Sequence, residues 1–126
     1  MNKELIETSF SFLTTSYGFN YSYCPTDHGN YYCYANDNGV FVYYFYEQFK
    51  DEAFYIFRES NVERIILPYK YPREVEKFHH AHKGIKWTFK GIRTNYWKEW
   101  YDLVATLQKQ EIERTGTLWG LPIDEL

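Results

Sequence analysis

The run Tyr31-Tyr32-Cys33-Tyr34-Ala35-Asn36-Asp37-Asn38-Gly39-Val40-Phe41-Val42-Tyr43-Tyr44-Phe45-Tyr46 decides the fold of this 126-residue chain. Two segments rich in rings and β-branched residues flank a cluster of Asn, Asp and Gly. That is the pattern of two strands joined by a tight reversal. Asn38-Gly39 suits a two-residue type I′ turn, whose central positions both need positive φ. Such a turn predicts Tyr34 opposite Tyr43, Tyr32 opposite Phe45, Cys33 opposite Tyr44 and Ala35 opposite Val42. Val40–Tyr46 carries bulky groups on both faces, which marks a central strand covered at least partly on each side.

The same chemistry continues outward. Between Tyr17 and Phe57, 16 of 41 residues are Tyr or Phe. Rings at this density supply apolar area at little side-chain entropy cost, while each Tyr hydroxyl still needs a partner. Tyr21–Cys24 reads as a strand before the turn Pro25–Asn30. After the charged turn Gln48–Glu52, Ala53–Arg58 alternates Phe54 and Ile56 with Tyr55 and Phe57. Upstream, Ile6, Phe10, Leu13 and Tyr17 form one face of a helix from Lys3 to Tyr17, capped by Asn2 and stopped by Gly18.

Downstream, Val62–Leu67 fits a strand or a short helix, and Pro68–Pro72 brackets a loop. Pro72 opens a helix to His82, ended by Gly84. Ile85, Trp87 and Phe89 alternate as a strand. Asn95 caps a helix to Thr115, with Trp97, Trp100, Tyr101, Val104 and Leu107 on one face and Gly116 as its stop. The tail Leu118–Leu126 folds back over the sheet to cover Trp119. The expectation is a single α+β domain over residues 1–126. Its antiparallel β-meander has four to six strands, with an N-terminal helix and a long C-terminal helix packed on one face.

The net charge of −3 implies no partner by itself. Its distribution is uneven: residues 1–60 hold three basic and eight acidic groups, whereas Lys70–Lys98 holds eight basic and two acidic. A bipolar chain can offer a negative face to a basic partner or a positive stripe to an anionic one; plain solvated surface is the competing reading. The N-terminus lacks a basic segment followed by an apolar one, and no apolar run approaches the roughly 20 residues of a membrane span. A cytoplasmic location with no membrane contact follows as the expectation. Cys24 and Cys33 do not fall opposite one another and read as reduced thiols.

Four groups could carry chemistry. His79 and His82, three apart on a helix, could chelate a metal with Cys24, Asp27 or His28 as a third ligand and support a metal-dependent hydrolase, yet no recognised ligand spacing is present. Cys24-Pro25-Thr26-Asp27-His28-Gly29 brings a thiol, a carboxylate and an imidazole together, but the same residues are ordinary turn formers. Lys83, Lys86, Lys90, Arg93 and Lys98, interleaved with Trp87, Phe89, Tyr96 and Trp97, could bind a nucleic acid strand through phosphate contacts and base stacking. Against that, the alternation sets Trp87 and Phe89 on the face away from Lys86 and Lys90. The last group is the Tyr-rich sheet surface. One face of the meander must meet the helices, and the other presents Tyr31, Tyr44, Tyr46 and Tyr55 unless the tail or the Pro68–Pro72 loop covers it.

The run Phe10-Ser11-Phe12-Leu13-Thr14-Thr15-Ser16-Tyr17-Gly18-Phe19, leading into Tyr34-Ala35-Asn36 and Gly39-Val40-Phe41-Val42, resembles the opening of several small bacterial α+β domains over residues 5–57. Some domains of this build resemble immunity proteins of toxin systems. That resemblance implies a small cytosolic inhibitor, without catalytic residues or cofactor, that acts by occlusion. It carries over no functional residue, because the matching positions are packing and turn positions. The leading expectation is therefore a non-enzymatic protein-binding module for a protein partner such as a basic toxin domain. Asp27, Asp37, Glu47, Asp51 and Glu52 would steer association, and Tyr44, Tyr46 and Tyr55 would anchor it. The alternative is a nucleic-acid-binding protein using the basic stretch 70–98.

Overall fold

The computed structural model describes residues 2–82 and 90–124, with side chains described for 2–82 and 96–124. The α+β architecture is the expected one: helices at the N-terminus, a five-stranded antiparallel meander and a long C-terminal helix. The N-terminal helix is interrupted, giving α1 (Asn2–Ser9) and α2 (Phe12–Thr15). Around the break the hydroxyls of Ser11 and Thr14 donate to the carbonyls of Thr8 and Ser11, both at 2.8 Å. Such bonds compete with the helical ladder. The apolar stripe survives, with Ile6, Phe10 and Leu13 fully buried. Asn2 does not cap; it lies inside α1, and its amide donates to the Tyr101 hydroxyl at 3.1 Å. Gly18 takes φ 73°, and the Phe19 N–H returns to the Leu13 carbonyl at 2.9 Å to close the segment.

The strands are β1 (Asn20–Thr26), β2 (Gly29–Asn36), β3 (Gly39–Tyr46), β4 (Asp51–Arg58) and β5 (Asn61–Ile65), adjacent in chain order. The β2–β3 register corrects the one that a turn at Asn38-Gly39 predicts. Asp37-Asn38 forms the loop, and the pairs are Tyr34–Phe41, Tyr32–Tyr43, Cys33–Val42 and Ala35–Val40. The cause is the Asn36 side chain, whose Oδ1 accepts the backbone N–H groups of Asn38 and Gly39 at 2.8 and 3.2 Å. This Asx geometry holds the turn without positive φ at Asp37 or Asn38. Because the shift is two residues, every side chain keeps its face. Gly39 serves close approach instead: a Cβ there would lie 2.3 Å from the Phe57 carbonyl oxygen. The β1–β2 loop likewise shrinks to Asp27-His28, with Pro25 and Thr26 paired to Asn30 and Gly29.

Val62–Leu67 divides into the edge strand β5 and a helical turn, α3 (Leu67–Lys70), which replaces the expected Pro68–Pro72 loop. Pro72 opens α4 (Pro72–Ala81) as expected. The last helix, α5 (Lys90–Thr115), starts before Asn95, so Asn95 is not its cap. The expected strand Ile85–Phe89 and the stop at Gly84 lie outside the described residues. Trp100, Tyr101, Val104 and Leu107 are buried along α5, and Gly116, at φ 73°, ends it. The tail forms a small ribbon, β6 (Thr117–Leu118) with β7 (Leu121–Pro122).

All helices and the tail ribbon pack on one side of the sheet. Phe10 stands edge-on to Tyr34, Phe41, Tyr43 and Tyr101, with centroids 6.1, 5.9, 5.8 and 6.3 Å away. Trp119 meets Phe41 and Phe54 from the same side, and its indole donates to the Tyr71 hydroxyl at 2.8 Å. Truncating Phe10 removes the ring that α1, β2, β3 and α5 share. Phe10→Ala is expected to cost about 3–5 kcal/mol. Urea denaturation should show the midpoint falling with an unchanged slope; a loss under 1 kcal/mol would contradict this packing.

Candidate functional site

The sheet face away from the helices is built by the period-two alternation of the strands. One row across it runs Ser22, Cys33, Val42, Tyr55, Arg64; another runs Cys24, Tyr31, Tyr44, Ala53; a third runs Asn20, Ala35, Val40, Phe57, Val62. Val42 and Ala53 are buried yet stand outside the main core cluster, so neighbours on their own face cover them. Tyr31 and Tyr44 lie 5.2 Å apart, Tyr55 and Phe57 6.1 Å, and Tyr46 and Phe49 5.1 Å. Tyr31, Phe57, Val62 and Phe49 are 37%, 38%, 55% and 67% exposed, a density of ring surface uncommon on a covered sheet. The tail and α3–α4 join the helical side through Trp119 and Tyr71, so among the described residues neither covers this face.

Of the anchoring residues read from the sequence, Tyr44, Tyr46 and Tyr55 all share this surface. Tyr44 is partly fixed: its ring lies over Gly29, where a Cβ would meet it at 2.3 Å, and its hydroxyl donates to the His28 carbonyl at 2.6 Å. The acidic residues divide. Asp27, Glu47 and Asp51 are exposed at the end of the sheet that carries the β1–β2 and β3–β4 turns, beside Tyr46 and Phe49, with Lys50 paired to Glu47 at 3.6 Å. Asp37 lies in the β2–β3 turn at the opposite end, roughly 25 Å away at 3.3 Å per residue. It does not belong to the acidic border.

Glu52 is a correction. It belongs to β4 rather than a turn, pairs with Phe45 and points to the helical side. Its Oε1 accepts the Tyr43 hydroxyl at 2.7 Å and the Trp100 indole N–H at 3.0 Å. Burial raises its pKa above the ordinary 4.5; the two donors act against that rise, and neighbouring Asp51 adds to it. It therefore does not share the ring face or the border that Asp27, Glu47 and Asp51 form. Tyr43, buried beside the same carboxyl, is itself pushed well up by burial and by Glu52.

The remaining candidates are dispersed. His82 has both ring nitrogens engaged, Nδ1 with the Phe78 carbonyl at 2.8 Å and Nε2 with Glu99, while its ring stacks on Phe78 at 4.1 Å. Burial lowers its pKa, but the Phe78 carbonyl and Glu99 outweigh this and the net shift is upward. The His79 ring lies nearly parallel to Trp100, 5.9 Å away, and the His80 side chain is exposed. Among the described residues no three His, Cys, Asp or Glu side chains gather as a metal site. Cys24, Asp27 and His28 spread over a strand end and a two-residue loop, and Thr26 Oγ1 is turned to the Gly29 carbonyl. Of the basic stretch, the side chains of Lys83, Lys86, Lys90 and Arg93 lie outside the described residues; Lys98 pairs with Asp102 at 2.9 Å.

The residues that sequence reasoning missed are Phe49, read only as part of a charged turn, and the Tyr43–Glu52–Trp100 set. A signal for the latter existed: Glu52 precedes Phe54 by two, which places it on the same face. No helix among the described residues is long and apolar enough to cross a membrane. No family model, curated protein or solved structure matches the chain.

Because Glu52 has a raised folded value, its neutral form favours the fold. The associated stability is present below about pH 4.5 and is lost as pH rises through the folded value. Glu52→Gln keeps an acceptor for both donors. Denaturation of this variant across pH 4–8 should show that contribution to the pH slope removed, while Tyr43→Phe should cost about 1–3 kcal/mol. An identical slope in native and Glu52→Gln chains would count against the burial of this carboxyl.

Proposed function

We propose that the chain is a non-catalytic protein-binding module that acts by covering its partner, in the manner of immunity-type inhibitors of toxins. The observation that carries the reading is the open sheet face, a contiguous field of Tyr31, Tyr44, Tyr46, Phe49, Tyr55, Phe57 and Val62. Beyond covering Val42 and Ala53 these rings add nothing to the main core cluster, whereas Tyr and Phe on a flat rigid sheet suit a protein contact. They carry large area, few torsions to freeze and a polar tip for hydrogen bonds at the rim.

The partner's chemistry follows from the border. Asp27, Glu47 and Asp51 flank the ring field at one end, so a partner with a basic rim around an apolar contact fits best. The rings would set the dissociation rate and the carboxylates the salt-sensitive association rate. The cytoplasmic location expected from the sequence belongs to the same reading.

Affinity capture with the native chain, followed by isolation of the stoichiometric partner and titration of purified components, tests the proposal. A Tyr46→Ser/Phe57→Ser double variant should weaken binding at least about tenfold with its melting temperature within a few degrees of native. Asp27→Asn/Asp51→Asn should slow association and flatten its salt dependence. A partner bound equally well by the first variant, or no stoichiometric partner at all, would overturn the reading.

A further inference from the structure

A cleft of about 220 Å³ opens on the helical side of the sheet, between the start of β4, the end of β5, α3–α4 and the first half of α5. It is separate from the open ring face and independent of the function proposed for that face. Its walls are apolar or aromatic, with Phe54, Leu67, Val75, Tyr96, Trp97 and Trp100 foremost. Trp97 meets Phe45 edge-on at 5.2 Å, and Trp100 is held between Phe78 and the flat His79 ring. These rings are locked by packing rather than free to collapse into the space.

Among the described residues the single carboxylate in the lining is Glu52. Oε1 takes both protein donors, whereas Oε2 has no hydrogen-bond partner among the described residues. A carboxylate offers about four acceptor sites, and because Glu52 is only half-buried a ligand entering the cleft can reach the free ones. Among the described residues no cation pairs with it. Arg64 also borders the cleft, but it stands opposite Tyr55 and so directs its side chain to the other face of the sheet. An unfilled carboxylate acceptor in an aromatic cleft suits a donor that carries positive charge.

The geometry points to a binding site for a small organic cation, a protonated amine on a compact apolar or aromatic body, with Glu52 Oε2 as the anchor and Trp97 and Trp100 as walls. Size limits the ligand: the space equals roughly seven waters by their share of liquid volume, enough for an arylalkylamine and too small for a nucleotide.

Phenethylamine is the probe and 2-phenylethanol its neutral counterpart. In titrations of the native chain followed by ¹⁵N correlation spectra, phenethylamine should shift the Trp100 indole N–H saturably, with half-saturation below about 1 mM. The alcohol should bind at least about tenfold more weakly. Glu52→Gln, which keeps an acceptor for Tyr43 and Trp100 but turns an amide NH₂ or neutral oxygen to the ligand, should weaken the amine about tenfold and leave the alcohol unchanged. Equal binding of amine and alcohol, or no saturable shift at 10 mM, a ceiling set at about ten times the expected midpoint, would overturn the site. The native-chain comparison decides the matter even if the variant folds poorly.

Discussion

The edge-on insertion of Phe10 into a ring field drawn from β2, β3 and α5 is the contact on which the rest of the structure depends. A meander alone buries little and is marginal in water until something apolar covers one face. Phe10 brings α1 down onto the centre of the sheet, and Tyr101 closes over it from α5. The Asn2–Tyr101–Tyr43–Glu52 chain of hydrogen bonds then satisfies the buried Tyr101 and Tyr43 hydroxyls, while the Tyr34 hydroxyl has no partner among the described residues. Each link fills a polar valence that would otherwise cost about 1–3 kcal/mol. Ring packing and polar satisfaction meet at two of these rings: Tyr101 and Tyr43 pack against Phe10, and Tyr43 also holds the carboxyl that lines the cleft.

The alternation of Phe54 and Ile56 against Tyr55 and Phe57 was legible because period two is a local property, and so was the Ile6–Phe10–Leu13 stripe. The β2–β3 register was not. Asn-Gly advertises one turn, but Asn36, two residues earlier, has a side chain that builds another, and only the competition between them settles which pair becomes the loop. The N-terminal helix was legible as a stripe and illegible as two pieces, because hydroxyl-to-carbonyl bonds of Ser11 and Thr14 depend on local rotamers. Tyr44, Tyr46 and Tyr55 were assigned to one surface correctly by alternation. Glu52 was misplaced because Asp51-Glu52 reads as solvated charge, and the donors that draw it inward, Tyr43 and Trp100, come from 9 residues before it and 48 residues after it.

The position of the tail explains why, among the described residues, it leaves one sheet face uncovered. Trp119 takes φ 50°, a strained value for a bulky residue. That backbone directs its ring toward Phe41 and Phe54 rather than across the far side of the sheet. The tail is fastened there by polar contacts: the amides of Asn36 and Asn38 donate to the Pro122 carbonyl at 2.9 and 3.1 Å, and Arg58 donates to the Gly120 carbonyl at 2.8 Å. The last apolar segment is thereby committed to the helical core, although the opposite face has ample apolar area to receive it.

An open aromatic face carries an aggregation hazard, and the sheet limits it at its edges rather than on its surface. In the described sheet β1 and β5 are the outer strands. Pro25 removes a donor from β1, while β5 is short, places Glu63 and Arg64 side by side and is followed by Pro68. Proline and charge on short edges discourage the addition of another strand. With both edges blunted, the surface left for association is the flat of the sheet, where contact depends on side-chain shape and charge rather than on the backbone pairing that any extended chain could supply. That restriction disfavours indiscriminate strand exchange, and the three border carboxylates sit at one end of the rings with none of them within the ring field.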